Sequence, residues 1–188
     1  MPAMSEHDLQ NQDTRQLEPR PSHLDQAAFV AEYGGIYEHS PWVAQTAWDA
    51  GLSPAQDTVD GLAAVLRTAV DRAAPAARLA LINAHPDLGG KAAMRGELTA
   101  GSTQEQAGAG LDQCTPAEYK RLQALNTAYR ERFGFVFILA VRGLGRPAIL
   151  AAMAQRLDND PTTEFETAIA EIHKIARLRL AARAGGSG

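Results

Sequence analysis

The sequence contains little cysteine, few aromatic residues and no long uninterrupted hydrophobic run. Cys114 is the single cysteine among 188 residues, which excludes an internal disulfide, a cysteine-built zinc site and a CxxC redox pair. A chain with so little cysteine fits a reducing compartment, and we expect a cytoplasmic protein. No apolar stretch reaches the length that a bilayer requires, so the sequence predicts neither a membrane span nor a membrane partner.

Neither sign of charge is in large excess. The 18 Lys and Arg residues against 22 Asp and Glu give a net charge of −4, which disfavours nucleic acid as a partner because phosphate recognition needs a concentrated basic surface. The hydrophobic content of 45% is sufficient for a core without disulfides. The sequence predicts one folded domain over residues 22–183, a flexible N-terminal extension over 1–21 and a flexible glycine-rich tail over 184–188.

Signals for helix starts recur inside this window. Four sites place an N-cap residue before proline, namely Ser40-Pro41, Ser53-Pro54, Thr115-Pro116 and Asp160-Pro161. The run over residues 135–141 is rich in β-branched and aromatic residues but has no second strand to pair with, so we interpret it as a buried extended or partly helical segment. The sequence therefore predicts an all-α fold, a single helical bundle of about seven to nine helices.

His85 is the most informative histidine. It lies in the segment Asn83-Ala-His-Pro-Asp-Leu-Gly-Gly90, where Pro86 ends an apolar helix. A histidine at a helix C-terminus faces the negative end of the helix dipole, which favours its protonated form and makes it a candidate general acid. A histidine that only caps the last carbonyl groups is an equally good interpretation. No histidine has another at helical ligand spacing, so the sequence predicts no metal site.

The segment Gly101-Ser-Thr-Gln-Glu-Gln106 is a second candidate site. It combines several hydrogen-bonding side chains with nearby glycine, which allows a ligand to approach the backbone. Ser102 and Glu105 also have the spacing of a capping box, a structural interpretation that needs no function. The two interpretations are compatible, because the helix N-terminus that such a box creates presents N–H groups to an anion.

Arg179 is the third candidate, because it lies on an apolar helix face. Ile172, Ile175, Ala176 and Arg179 follow the spacing that brings residues to one side of a helix. A long arginine side chain in this position extends to the rim, or, where the guanidinium is buried, it pairs with a carboxylate of the protein or a ligand.

Taken together, these segments resemble the OHCU decarboxylase family, which decarboxylates 2-oxo-4-hydroxy-4-carboxy-5-ureidoimidazoline (OHCU) in urate breakdown. The resemblance rests on the order and spacing of Tyr37-Glu-His-Ser-Pro-Trp-Val43, Ala84-His-Pro-Asp-Leu88, Ser102-Thr-Gln-Glu-Gln106 with Ala-Gly-Ala-Gly-Leu111, Phe133-Gly-Phe135, Phe137 to Arg142, and Lys174-Ile-Ala-Arg-Leu-Arg-Leu180. It implies an all-α fold, a reaction without a cofactor, and (S)-allantoin as the product. Val136 stands where the family pattern has proline, which affects only the local geometry of the pocket.

The resemblance also implies roles for individual residues. His85 would be the catalytic acid, and Glu105 would be the second catalytic residue. Contacts with the small-molecule substrate OHCU would come from Pro86, Ser102, Thr103, Gln104, Glu105, Gln106, the backbone of Phe137, Ile138, Leu139, Ala140 and Val141, and Arg179. We expect a homodimer by analogy with the family, while association with hydroxyisourate hydrolase stays open.

Two other functions compete with this one. The first is a catalytically silent helical module that binds a ureide or a purine-derived anion. The second is a cofactor-free lyase that acts on a related carboxylated heterocycle. The silent module is disfavoured because the candidate acid, carboxylate and guanidinium are all retained. Turnover of ring analogues would separate the two lyases.

Overall fold

The computed structural model describes residues 13–90 and 96–185 of the chain. These residues contain eight α-helices, three short 3-10 helices and no β-strand. One isolated antiparallel bridge joins Gln16 and Thr58. The predicted all-α class is therefore confirmed for the described residues, and none of their helices is long and apolar enough to cross a bilayer.

The α-helices are numbered here in chain order. They are α1 (Gln26–Tyr33), α2 (Trp42–Asp49), α3 (Val59–Asp71), α4 (Pro75–Asn83), α5 (Ala100–Gly108), α6 (Pro116–Phe133), α7 (Arg146–Arg156) and α8 (Pro161–Gly185). The 3-10 helices span Pro21–His23, Pro54–Asp57 and Leu111–Gln113. The chain divides into two compact units: a terminal unit built from the chain up to Ala73 and from Ala176 onward, and a central unit over Ala74–Ile175.

The core of the terminal unit includes residues from before the first α-helix. Leu17 is fully buried, and its N–H donates to the Asp57 carbonyl over 2.8 Å. Part of the segment predicted as a flexible extension is therefore packed, because it contributes an apolar side chain and backbone hydrogen bonds. At the other end, α8 continues through Gly185, into the predicted tail. Residues 1–12 and 186–188 of those predicted segments lie outside the described residues.

Two of the predicted N-caps begin α-helices as expected. The Thr115 hydroxyl accepts from the Glu118 N–H over 3.2 Å, and the Glu118 carboxylate accepts from the Thr115 N–H over 2.8 Å, which completes a capping box at α6. The Asp160 carboxylate accepts from two N–H groups in the first turn of α8. These local signals decided the helix starts because both partners lie within one turn.

The other two predicted caps act differently. Ser53 forms a capping box, but on the short 3-10 helix Pro54–Asp57, and α3 has its own N-cap in Thr58. The prediction for Ser40 is wrong: α2 begins at Trp42 with Pro41 in the N-cap position and no side-chain cap. Instead, the Ser40 carbonyl accepts from the Val43 N–H.

The central unit surrounds a group of aromatic rings. Tyr129 of α6 has its ring centroid 4.7 Å from that of Phe133, 5.8 Å from that of Phe135 and 5.2 Å from that of Phe137. Residues 135–141 contain neither helix nor strand, and most of them are buried. The run is therefore a buried segment without a sheet, as predicted, and the partly helical alternative is wrong. We call residues 135–141 the wall segment.

Candidate active site

A pocket in the central unit brings together most of the residues that the sequence analysis selected. Three segments and one residue of α8 form its lining: His85, Pro86 and Leu88; Ser102, Glu105 and Gln106; Phe137, Ile138, Leu139 and Val141; and Ile175. The first group follows the end of α4, the second lies on α5, and the third belongs to the wall segment. The first two groups therefore contribute an imidazole, a carboxylate and other polar side chains, whereas the wall segment and Ile175 contribute apolar side chains.

His85 is 7% exposed, and its position fixes the proton on one ring nitrogen. The Nδ1 atom lies 3.0 Å from the carbonyl oxygen of Leu81, one turn earlier in α4. A carbonyl can only accept, so Nδ1 carries the proton and Nε2 is the nitrogen whose protonation can change. Both sequence interpretations of His85 therefore describe part of its environment, because it caps a carbonyl and also lines the pocket.

The loop after His85 is held by side chains from two helices. The Gln106 side-chain oxygen accepts from the Gly89 N–H over 2.9 Å, and the Gln123 amide donates to the Gly89 carbonyl over 2.9 Å. The Asn126 amide donates to the Leu88 carbonyl over 3.0 Å. Because the side-chain oxygen of Gln106 accepts from the loop, its amide nitrogen is the end that carries donors. Gln106 thus lines the pocket and also positions the loop next to the imidazole.

The predicted capping box at Ser102 and Glu105 is wrong. Thr99 is the N-cap of α5, and its hydroxyl accepts from the Ser102 N–H over 3.3 Å. Ser102 and Glu105 instead lie inside the helix, three residues apart, and both line the pocket. The anion site that a box at Ser102 would create therefore has no counterpart there, and this pair contributes side chains to the pocket.

Four of the residues predicted to contact substrate do not belong to the lining of this pocket, namely Thr103, Gln104, Ala140 and Arg179. Thr103 and Gln104 are exposed on α5. The Ala140 N–H donates to the Glu171 carboxylate over 2.8 Å, which makes this part of the wall segment a structural contact. Conversely, sequence reasoning missed Leu88 and Ile175 as lining residues, although both belong to segments that it had selected.

Val136, where the resemblance implies proline, has a specific contact. Its N–H lies 3.3 Å from the side-chain oxygen of Asn83, at the end of α4. Proline has no N–H and could not donate this hydrogen bond. The valine thus links the wall segment to the helix end that precedes His85.

Arg179 belongs to the terminal unit and has a carboxylate partner there. Its Nη1 lies 2.8 Å from Glu38 Oε2, with the Arg179 side chain 11% exposed and that of Glu38 only 1% exposed. The same nitrogen donates to the Ile36 carbonyl over 3.3 Å. The requirement that a buried guanidinium pairs with a carboxylate is therefore met within the protein. Its contact with substrate stays a prediction.

Glu38 itself was missed as the partner of this arginine, although it lies in the segment Tyr37-Glu-His-Ser-Pro-Trp-Val43 that supports the family resemblance.

Within residues 13–90 and 96–185, no group of three or more His, Cys, Asp or Glu side chains is arranged to hold a metal ion. Cys114 is half-buried, and this burial raises the pKa of its thiol, which disfavours the nucleophilic thiolate.

Comparison with known proteins adds independent evidence. The family model described as OHCU decarboxylase matches residues 22–181. The 2-oxo-4-hydroxy-4-carboxy-5-ureidoimidazoline decarboxylase of Haloferax volcanii is 47% identical over 160 residues, which cover 85% of this chain and 91% of that protein. The uric acid degradation bifunctional protein of Bacillus subtilis is 39% identical over 158 residues, or 84% of this chain but 31% of that protein.

The fold is similar to that of a solved protein structure. The crystal structure of (S)-allantoin synthase superposes with a TM-score of 0.69 at 34% identity, and the match covers 87% of this chain. It covers 52% of the solved chain, so this chain spans about half of that protein's length. The family match, the near full-length relative and the shared fold agree, and the chain belongs to the OHCU decarboxylase family.

Proposed function

We propose that this protein decarboxylates OHCU to (S)-allantoin in the degradation of urate. The observation that carries the proposal is the placement of His85 in the pocket, with Nδ1 held by Leu81 and with Glu105 on the same lining. This arrangement supplies one proton donor of fixed orientation and one carboxylate. The high identity to the Haloferax volcanii decarboxylase supports the same substrate.

The reaction needs orientation and proton transfer. Loss of CO₂ breaks the bond between the carboxylate and the ring carbon that carries the hydroxyl group. The electron pair forms a double bond to the ureido-bearing ring carbon, while the electrons of the ring carbon–nitrogen double bond move onto nitrogen, which takes up a proton. The hydroxyl group then loses its proton and becomes a carbonyl, and the ureido-bearing carbon gains a proton. The products are allantoin and CO₂, and the ring itself accepts the electrons.

His85 delivers the proton that sets the stereochemistry. In the imidazolium form, Nε2 donates to one face of the ureido-bearing carbon, while Nδ1 stays bonded to Leu81. Because the ring nitrogen that donates is fixed, only one face of the substrate is protonated. A positioned acid of this kind contributes about a hundredfold to ten-thousandfold in rate.

The rest of the pocket orients the substrate. Glu105 accepts hydrogen bonds from the ureido or hydroxyl group, and the amide nitrogen of Gln106 donates to a ring or carboxylate oxygen. The apolar side chains of the wall segment exclude water from the pocket. Family resemblance adds Arg179 as a binding group for anionic oxygens.

The test generates the unstable substrate in place from urate with urate oxidase and hydroxyisourate hydrolase. Loss of OHCU absorbance and the circular dichroism of allantoin are then followed together. Wild type should give rapid loss and a single-handed signal. His85→Asn keeps a side-chain amide that can donate to the Leu81 carbonyl but has no acid, so its rate should fall at least a hundredfold.

The matched control is His23→Asn, the same substitution at an exposed residue of the Pro21–His23 helix. This control should retain wild-type activity. A folded wild-type protein that does not accelerate OHCU decay would overturn the proposed function and favour the silent binding module. Turnover of a ring analogue in place of OHCU would favour the related lyase, and full activity of His85→Asn would exclude His85 as the acid.

We also propose that the protein acts beside the enzyme that supplies OHCU, hydroxyisourate hydrolase. The relative in Bacillus subtilis is a bifunctional protein of uric acid degradation, which supports a spatial link between steps of this pathway. The homodimer stays part of the proposal by family analogy. Analytical ultracentrifugation of the protein alone and mixed with the hydrolase tests both associations. Sedimentation of this protein as a monomer in both samples would contradict them.

A further inference from the structure

A buried ion pair lies directly behind the pocket without entering it. Arg156 of α7 pairs with Glu164 of α8 through Nη2 and Oε1, 2.5 Å apart, and its Nε lies 2.9 Å from the same oxygen. The side chain of Glu164 is 0% exposed and that of Arg156 is 11% exposed. Burying two charges is costly, so the arrangement around them must satisfy their hydrogen bonds.

The carboxylate is satisfied by additional donors. The Tyr129 hydroxyl donates to Glu164 Oε1, and the Asn159 amide donates to Glu164 Oε2 over 2.7 Å. Burial and the adjacent carboxylate raise the pKa of Tyr129, so its hydroxyl stays a donor. Both oxygens of Glu164 are thereby occupied, which leaves this carboxylate as a fixed anchor for the guanidinium.

The anchored Arg156 guanidinium contacts the wall segment. Arg156 Nη1 donates to the Ile138 carbonyl over 2.6 Å, and the guanidinium carbon lies 4.4 Å from the centre of the Phe137 ring. Both Phe137 and Ile138 line the pocket, whereas Arg156 and Glu164 do not. The ion pair therefore reaches the pocket through one carbonyl and one aromatic ring.

The wall segment needs such support because it has no helix or strand of its own. Buried carbonyl and N–H groups require partners, and a segment without regular structure must obtain them from side chains. The Arg156 guanidinium donates to the Ile138 carbonyl. Two residues later, the Glu171 carboxylate accepts from the Ala140 N–H. A cation and an anion thus hold the backbone at two points along the wall segment.

We propose that Arg156, anchored by Glu164, is a positioning residue that holds the Phe137–Ile138 backbone against the substrate. The inference rests on the proposed decarboxylation and adds to it a residue that does not touch the substrate. Misplacement of a binding surface by about 1 Å lowers a rate on the order of a hundredfold, because the reacting bond is no longer aligned. We expect the rate to fall in this way when the Ile138 carbonyl loses the hydrogen bond from Arg156 and the backbone shifts.

Arg156→Lys tests the inference, because lysine keeps the charge but loses the planar fork that reaches both Glu164 and Ile138. We expect kcat/KM for OHCU to fall about tenfold to a hundredfold, mainly in kcat, in protein that still unfolds cooperatively. Arg78→Lys is the matched control: Arg78 lies 2.7 Å from Glu166 and its guanidinium carbon is 5.2 Å from the Phe165 ring, but it lines no part of the pocket. Its kcat/KM should stay within about twofold of wild type.

Glu164→Gln provides a second variant, which keeps an acceptor for Arg156 but removes the charge. Its kcat/KM should lie between those of wild type and Arg156→Lys, and it decides the test if the lysine variant does not fold. An active wild type with unchanged kcat/KM in the folded variants would overturn the positioning role alone, even where their melting temperatures fall. A folded but inactive wild type would overturn the proposed function, and this inference with it.

Discussion

Glu38→Gln should destabilise the protein by about 3 kcal/mol, because it removes the negative charge that lies 2.8 Å from the buried Arg179 guanidinium. With side-chain exposures of 1% for Glu38 and 11% for Arg179, water can replace little of the lost interaction. Breaking a buried pair costs about 3–5 kcal/mol, and the remaining hydrogen bond from Arg179 to the Ile36 carbonyl places the loss at the lower end. At roughly 2–4 °C per kcal/mol, Tm should fall by about 6–12 °C.

Urea unfolding of four proteins measures the effect: wild type, Glu38→Gln, Arg179→Met and the double variant. Removing both charges relieves the penalty of burying either one alone, so the double variant should lose less stability than the sum of the two single losses. Additive losses, or a loss below about 0.5 kcal/mol in Glu38→Gln, would refute the reasoning.

The matched control breaks an ion pair on the surface. Arg67 and Asp71 lie one turn apart in α3, with side-chain exposures of 63% and 43%. Exposed pairs contribute about 0–1 kcal/mol, because water screens them and two long side chains must be ordered. Arg67→Met should therefore change the free energy of unfolding by about 0.5 kcal/mol or less. A larger loss would mean that side-chain exposure does not explain the difference in stabilisation between the Arg67–Asp71 and Arg179–Glu38 pairs.

Two further predictions concern stability. Gly89→Ala should cost more than Gly134→Ala in urea unfolding: both glycines have positive φ, +56° and +77°, but a Cβ on Gly89 would lie 2.5 Å from Leu122 Cδ2 while that on Gly134 meets nothing within 4 Å. Equal losses would contradict the steric argument. The Thr115 N–H lowers the pKa of the Glu118 carboxyl, so its stabilisation is complete above the unfolded pKa of about 4.3 and is lost as pH falls through the lower folded value. The stability advantage of wild type over Glu118→Gln should therefore shrink below about pH 4, and a constant difference in melting temperature down to pH 3 would exclude this origin.

Local signals predicted the parts of the fold whose partners are close in sequence. The caps at Thr115 and Asp160 were identified correctly because the hydroxyl or carboxylate and the N–H groups it accepts from lie within one turn. The same rule placed the start of α5 wrongly. Thr99 and Ser102 are both good N-cap residues three positions apart, and the capping-box spacing from Ser102 to Glu105 favoured Ser102, whereas the helix begins after Thr99.

The pocket was anticipated through its segments rather than its contacts. His85, Glu105 and the wall segment were selected for their residue types and for the family resemblance, and the structure brings them to one lining. The pairing of Arg179 with Glu38 could not be predicted from helical periodicity. Periodicity indicates the face of a helix on which a residue lies, but not the residue that it contacts. A distant carboxylate can be recognised as such a partner only once the chain is folded.

A physical rule would have narrowed the search for the charges behind the wall segment. Its composition indicated a buried run, and the absence of a second strand meant that no sheet could satisfy its backbone. Buried backbone groups without regular partners must then bond to side chains from neighbouring elements. Charged residues on the apolar sides of the following helices are therefore the expected source, and Arg156 and Glu171 fill this role. A buried irregular run beside a candidate pocket is thus itself a reason to look for charged residues that position it.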